Sequence, residues 1–185
     1  MRIIAGQFRG LHLKPLKGDR LRPTTDQMRE TLFDVLGNIE GKSFLDAYAG
    51  SGAVGLEALS RGACPVALIE SHRPAAALIR ENLQRLHVES GFQVLQSTFS
   101  AGLVKLAQAG ARFACVFLDP PYSEIAEYHR SLRELGRSVL LLPDARVIVE
   151  HSRYCLLEPR YGALIQTRLL RHGDSQLAFY RPESL

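Results

Sequence analysis

Apolar positions along this chain follow two periods, and the two change places repeatedly after residue 42. Strand-like runs fall at 43–48, 64–70, 92–97, 113–119 and 145–151; the intervening stretches, at about 53–61, 73–87, 100–109 and 124–136, carry helical spacing. Strand and helix in alternation predict a parallel sheet with helices on both faces. Two further runs, 163–171 and 175–181, joined by His172-Gly173-Asp174, predict an antiparallel hairpin. Ahead of the alternation, 2–5 and 11–14 read as a short hairpin around Gly6-Gln7-Phe8-Arg9-Gly10, and Pro15 to Pro23 as a loop. Thr24-Thr25-Asp26-Gln27 then starts a helix, with Thr24 and Gln27 at capping-box spacing; Met28, Leu32, Val35 and Leu36 share one face and Gly37 ends it. The expected fold class is α/β: a mainly parallel seven-stranded sheet closed by a C-terminal antiparallel hairpin. A basic N-terminal hairpin and helix at 1–38 form an appendage to a main domain at 39–185.

Chemistry concentrates where strands end. The first strand of the alternation runs into Asp46-Ala47-Tyr48-Ala49-Gly50-Ser51-Gly52-Ala53-Val54-Gly55, whose glycines have G-x-G-x-x-G spacing. Such a turn brings backbone close to a ligand and opens a helix N-terminus toward it. Glu70 ends the second strand, where an acid commonly holds ribose hydroxyls. This much implies a nucleoside cofactor and leaves NAD and S-adenosylmethionine both open. Asp46 helps to separate them: a carboxylate just before the turn repels a pyrophosphate and suits a ligand carrying an ammonium and a sulfonium.

Asp119-Pro120-Pro121-Tyr122 follows the apolar run 113–118, again at a strand end, where open α/β sheets bind ligands. An exocyclic amino group on a purine is a poor nucleophile because its lone pair is delocalised into the ring. Accepting both its hydrogens, through the Asp119 side chain and the Pro120 carbonyl, favours a pyramidal nitrogen and aims the lone pair. Pro121 biases Pro120 toward extended geometry, and Tyr122 offers a ring for a flipped-out base. No cysteine is placed to attack a pyrimidine carbon, since Cys64 precedes Pro65 at a strand start, and the six histidines lack metal-ligand spacing.

Charge adds a partner. The net +4 lies wholly within residues 1–30, where Arg2, Arg9, Lys14, Lys17, Arg20, Arg22 and Arg29 face Asp19, Asp26 and Glu30; beyond them the signs balance. A polyanion such as RNA suits that segment. No apolar run approaches a membrane span, the opening residues turn polar at once, and three cysteines form no disulfide framework, so a reducing cytoplasm is expected.

These residues together resemble the bacterial RsmD family of 16S ribosomal RNA guanine-N2 methyltransferases, over essentially the whole chain. The resemblance rests on residues 2–10, Leu21-Arg22-Pro23-Thr24-Thr25-Asp26, Arg29-Glu30-Thr31-Leu32-Phe33, 45–52 with Gly55-Leu56-Glu57-Ala58, and Asp119 to Tyr122. It implies a Rossmann-like fold, S-adenosylmethionine as cofactor, and 16S rRNA or the assembling small ribosomal subunit as partner; a monomer is the default expectation. It further implies that Asp46, Gly50, Ser51, Gly52, Gly55 and Glu70 line the cofactor, with Arg22 and Thr24 closing its methionine end. Asp119, Pro120, Pro121 and Tyr122 would hold the base, while Arg2, Arg9, Lys14, Lys17 and Arg20 meet RNA phosphates. After the third strand, where relatives often place Asp or Asn against the adenine, this chain has Ser97-Thr98-Phe99, so Thr98 and Phe99 are the expected adenine neighbours. The alternatives are an NAD-dependent oxidoreductase, which leaves Asp119 to Tyr122 unexplained, and a non-catalytic RNA-binding or ribosome-assembly module.

Overall fold

The structure, a computed structural model, describes residues 1–15 and 25–183. Its elements in chain order are α1 (Asp26–Leu36), β1 (Phe44–Asp46), α2 (Ala53–Ser60), β2 (Val66–Glu70), α3 (Arg73–Arg85), β3 (Phe92–Gln96) and α4 (Phe99–Gln108). These are followed by β4 (Phe113–Leu118), α5 (Ile125–Leu135), β5 (Leu141–Ser152), β6 (Arg160–Tyr161), β7 (Leu164–His172) and β8 (Ser175–Pro182). The strands make one sheet in the order β3-β2-β1-β4-β5-β8-β7-β6, parallel from β3 to β5 and antiparallel beyond. The chain thus winds outward from β1 to β3, returns across β1 to β4, and leaves a topological switch point between β1 and β4. Side chains from strands and helices fill two cores. One face packs against α1, α2 and α3 through Leu32, Phe33, Leu56 and Ile79, and the other against α4 and α5 through Leu103, Leu106, Leu132 and Leu135.

The expected architecture is present, with three local differences. β5 begins at Leu141, before the alternating run at 145–151, and its pairing with β4 slips between Phe113 and Cys115, which accommodates Pro143 and Asp144. A two-residue strand, β6, extends the sheet beyond the expected seven. At the N-terminus the hairpin reduces to one bridge, Arg2 with His12. Ile3 N–H to the Leu11 carbonyl (3.0 Å) and Leu13 N–H to the Met1 carbonyl (3.1 Å) flank that bridge, and beyond it the first limb bonds to α2: Ile4 and Ala5 donate to the two oxygens of Glu57 (2.8 and 3.0 Å), and Gln7 donates to the Ser60 carbonyl (2.8 Å). Glu57 is fully buried and also accepts from Arg61 Nε at 2.8 Å, so its charge is met on every side the first limb presents.

Residues assigned to 1–38 share their core with the sheet, since Ile3, Leu13, Met28 and Leu36 pack in one cluster with Phe44, Leu68 and Phe117. Thr25 caps α1 by accepting from the Met28 N–H at 3.2 Å; the expected cap, Thr24, lies outside the described residues. α1 carries no basic residue in its last turn, and Arg146 of β5 supplies one from outside, donating to the Leu36 carbonyl at 2.9 Å.

Candidate active site

Asp46, the last residue of β1, is 1% exposed, and its Oδ2 accepts the Gly55 N–H at 2.8 Å. This bond ties the strand end to the first turn of α2 and commits Gly55 to packing: a Cβ there would lie 2.6 Å from Leu68 Cδ2. Burial pushes the Asp46 carboxyl up to about 7; the Gly55 N–H opposes this and the charge of Glu70 adds to it. Between Asp46 and α2 the chain turns through Gly50 and Gly52, both at positive φ (52° and 81°). A Cβ on Gly50 would meet nothing within 4 Å, so its face stands open to a ligand, whereas one on Gly52 would press on Ile79.

Glu70 straps this turn to the end of β2. One carboxylate oxygen accepts the Gly50 N–H and the other the His72 N–H, each at 2.7 Å. Each oxygen retains a lone pair, which is what a ribose diol requires. Ser51 sets its hydroxyl 3.8 Å from the Met1 sulfur, which brings the start of the chain to the turn.

At the end of β3 the structure rearranges the expected adenine neighbours. Thr98 caps α4, its hydroxyl accepting the Ala101 N–H at 3.4 Å. Phe99 is 3% exposed and stacks on Tyr48 (centroids 5.3 Å, 12° between planes), while the Tyr48 hydroxyl donates to Glu127 and meets Ser131, both at 2.5 Å. Phe99 therefore belongs to the core that steadies the loop after β1. Ser97, which sequence reasoning passed over, has a buried hydroxyl with no partner among the described residues, beside the Glu70 carbonyl that accepts its N–H at 3.1 Å. A buried hydroxyl without a partner at the rim of a glycine turn fits a nucleoside.

The second turn follows β4, the neighbour of β1 across the switch point, with Asp46 opposite Phe117. Asp119 is partly buried, two residues past that pairing. The Pro120 carbonyl accepts a 2.8 Å bond from the buried Tyr128 hydroxyl on α5, which fixes its direction and leaves its second lone pair for another donor. Pro121 closes the turn by accepting the Glu124 N–H at 2.9 Å. Tyr122 keeps 36% of its surface exposed while its hydroxyl donates to Glu150 (3.1 Å) and meets Ser175 (3.0 Å). Burial, then the charge of Glu150, raises the phenol pKa, so Tyr122 stays neutral and keeps the proton it donates. Glu150 was legible in principle: like Glu70 it is an acid ending an apolar strand run. Tyr128 and Ser175 carried no such signal.

Of the basic residues expected to meet RNA, Arg2 and Arg9 are exposed, and Lys14 is exposed and paired with Glu81 at 2.7 Å. Residues 7 and 8 bond to Ser60, the last residue of α2, so Arg9 lies at the end of that helix remote from the glycine turn. Lys17, Arg20, Arg22 and Thr24 lie outside the described residues. Among the described residues no cluster of His, Cys, Asp and Glu has the arrangement of a metal site, and no helix is long and apolar enough to cross a membrane.

A strapped glycine turn facing an Asp-Pro-Pro-Tyr turn across the switch point of this sheet makes the chain an S-adenosylmethionine-dependent methyltransferase. The family described as conserved hypothetical protein 95 matches residues 1–181. Ribosomal RNA small subunit methyltransferase D of Haemophilus influenzae is 38% identical, over 93% of this chain and 94% of its own. YlbH of Bacillus subtilis, which carries a provisional rRNA methyltransferase name, is 33% identical over 98% of each chain. The solved structure of YhhF from Escherichia coli, described as a provisional methyltransferase, superposes with a TM-score of 0.85 at 35% identity, covering 100% of this chain and 99% of that one. The chain belongs to the RsmD family of 16S rRNA (guanine-N2)-methyltransferases.

Proposed function

We propose that this chain methylates the exocyclic N2 of one guanine in 16S rRNA, acting as a monomer in the cytoplasm on RNA or on the assembling small subunit. The observation that carries the reading is the juxtaposition of the two turns on neighbouring strands: a nucleoside-holding turn after β1 and a pair of hydrogen-bond acceptors after β4. Bound at the first turn, S-adenosylmethionine supplies a methyl group made electrophilic by its sulfonium. Glu70 holds the ribose, Gly50 and Ser51 admit the ligand to the backbone, Gly52 shapes the turn, and the Ser97 hydroxyl takes a nucleoside contact. Arg22 and Thr24 stand as the expected residues for the methionine end.

The chain's own groups prepare the nucleophile. Tyr122, held by Glu150 and Ser175, presents a fixed ring for the flipped base. The Asp119 carboxylate and the Pro120 carbonyl, aimed by Tyr128, accept the two amino hydrogens and turn the nitrogen lone pair out of conjugation. As the nitrogen gains its methyl group it becomes cationic, and Asp119 is the acceptor in line for the proton it sheds.

The test is methyl transfer from labelled S-adenosylmethionine to small-subunit particles from cells lacking the enzyme, followed by nucleoside analysis. Label is expected in N2-methylguanosine; label in another nucleoside, or none with cofactor binding intact, would overturn the assignment.

Asp46 supplies a second expectation. Its folded carboxyl titrates near 7 against an ordinary 3.8, so between those values the folded chain holds a proton that the unfolded chain has released. Stability from this group therefore falls as pH rises through that window and levels off above it. A cationic ligand beside Asp46 favours its ionised form, so S-adenosylmethionine binding at pH 6 should release protons. Calorimetric enthalpies should then vary linearly with the ionisation enthalpy of the buffer; identical enthalpies in every buffer would remove Asp46 from the cofactor's surroundings.

A further inference from the structure

We propose that Arg153 and Tyr154 form a stacking subsite for a nucleotide adjoining the methylated guanine in the same RNA strand. The proposal rests on the RNA methyltransferase reading and extends it to a face of the site remote in sequence from the basic N-terminus.

The position follows from the register of the sheet. Ser175, whose hydroxyl is 3.0 Å from that of Tyr122, pairs with Ser152, the last residue of β5. Arg153 is the next residue, and its N–H donates to the Asp174 carbonyl at 2.9 Å. The loop after β5 thus leaves the sheet beside the ring assigned to the flipped base.

The loop presents its apolar groups outward by construction. Cys155 is buried at 4% exposure, its N–H donates to the Ser152 carbonyl at 2.9 Å, and its own carbonyl meets His151 Nδ1 at 3.0 Å. With Cys155 pinned inward, its neighbours face solvent: Tyr154 is 73% exposed and Leu156 82%. Arg153 lies over the Tyr154 ring, 4.8 Å from its centroid, and donates to its hydroxyl at 2.6 Å. A guanidinium backing one face of an exposed aromatic ring leaves that ring as a platform for a planar group and places a cation beside it.

Charge selects the occupant. The neighbouring hairpin adds Arg168 and Arg171, both exposed, while Asp174, at its tip, is paired with Arg153 at 3.3 Å. Ring, guanidinium and surplus cations together match a single-stranded nucleotide, whose base stacks and whose phosphate is anionic.

Tyr154→Ala is the test, because a residue so exposed can be truncated without loss of the fold. With small-subunit particles as substrate, KM for the particle should rise roughly tenfold, the scale of one lost base stack, with kcat at saturation and affinity for S-adenosylmethionine unchanged. Tyr154→Trp should restore the wild-type KM. A photoreactive phenylalanine analogue at position 154 should crosslink to RNA within the particle. An unchanged KM in Tyr154→Ala, failure of tryptophan to rescue it, or a crosslink to a ribosomal protein would each overturn the subsite. Wild-type enzyme that transfers no methyl group to RNA would instead overturn the reading on which the subsite rests.

Discussion

Replacing Asp119 with alanine is expected to lower kcat about 10³-fold, a loss of the size seen when one preorganised polar group is removed from a reacting centre. Affinity for S-adenosylmethionine should stay within about twofold of wild type, the margin allowed to sites that share no partner. The split follows from the architecture. Gly50 follows β1, Glu70 ends β2 and Ser97 follows β3, all on one side of the switch point, whereas Asp119 follows β4 on the other. The Pro120 carbonyl would keep one amino hydrogen, held as it is by Tyr128 at 2.8 Å, but a single acceptor does not fix the plane of the amino group or take up its proton. An asparagine side chain would still accept a hydrogen bond, so Asp119→Asn should lie between wild type and alanine. Single-turnover rates with titrated cofactor decide the matter: an alanine variant that turned over at the wild-type rate would remove Asp119 from the chemistry, and one that lost cofactor binding would place it on the wrong side of the site.

Gly6→Ala is expected to be the most damaging small substitution in the N-terminal segment. Gly6 sits at φ +82°, and a Cβ there would lie 1.8 Å from the Ser60 carbonyl oxygen, a backbone atom at the end of α2 that cannot swing aside. Relief requires the first limb to lift away, which breaks the bonds from Ile4 and Ala5 to the buried Glu57. Left with the hydrogen bond from Arg61 and the charge of Arg29, that carboxylate becomes an under-compensated buried charge. The cost should be about 3 kcal/mol or more, against about 1 kcal/mol for Gly10→Ala. Gly10 provides the control, since it has nearly the same φ, +83°, and a Cβ on it would meet nothing within 4 Å. In thermal unfolding the first variant should melt roughly 6–12 °C below wild type and the second roughly 2–4 °C below. Equal shifts would mean that the docking of the first limb onto α2 contributes little.

The Gly6 contact also shows where reading the chain alone stopped. A turn at Gly6 to Gly10 was visible, and so was a helix over 53–61, but nothing in their spacing joined them. Glu57 and Ser60 look like ordinary polar positions on a helix until the N-terminal limb is laid across them, and only then do their oxygens meet the N–H groups that the hairpin leaves unpaired. Phe99 shows the same limit. It follows the third strand where an adenine neighbour is expected, and only the structure shows that it also stacks on Tyr48 from helix α4. Ser97, two residues earlier, carries the hydroxyl left without a described partner.

What the sequence determined by itself is local and periodic. Alternating runs of apolar residues set the strands, helical spacing set what lies between them, and glycines or an Asp-Pro-Pro-Tyr turn at the ends of those runs marked where the chemistry belongs. These features need only a residue and its near neighbours, and so they can be read in one dimension. The tertiary structure decided what depends on strands meeting out of order. β8 enters between β5 and β7, and this insertion sets Ser175 and Glu150 against Tyr122. The return of the chain across β1 places Asp119 at the end of the strand next to the one that leads into the glycine turn. Backbone pairing across a sheet is indifferent to sequence distance, so such contacts follow from the order in which whole strands bury their faces and not from any spacing along the chain.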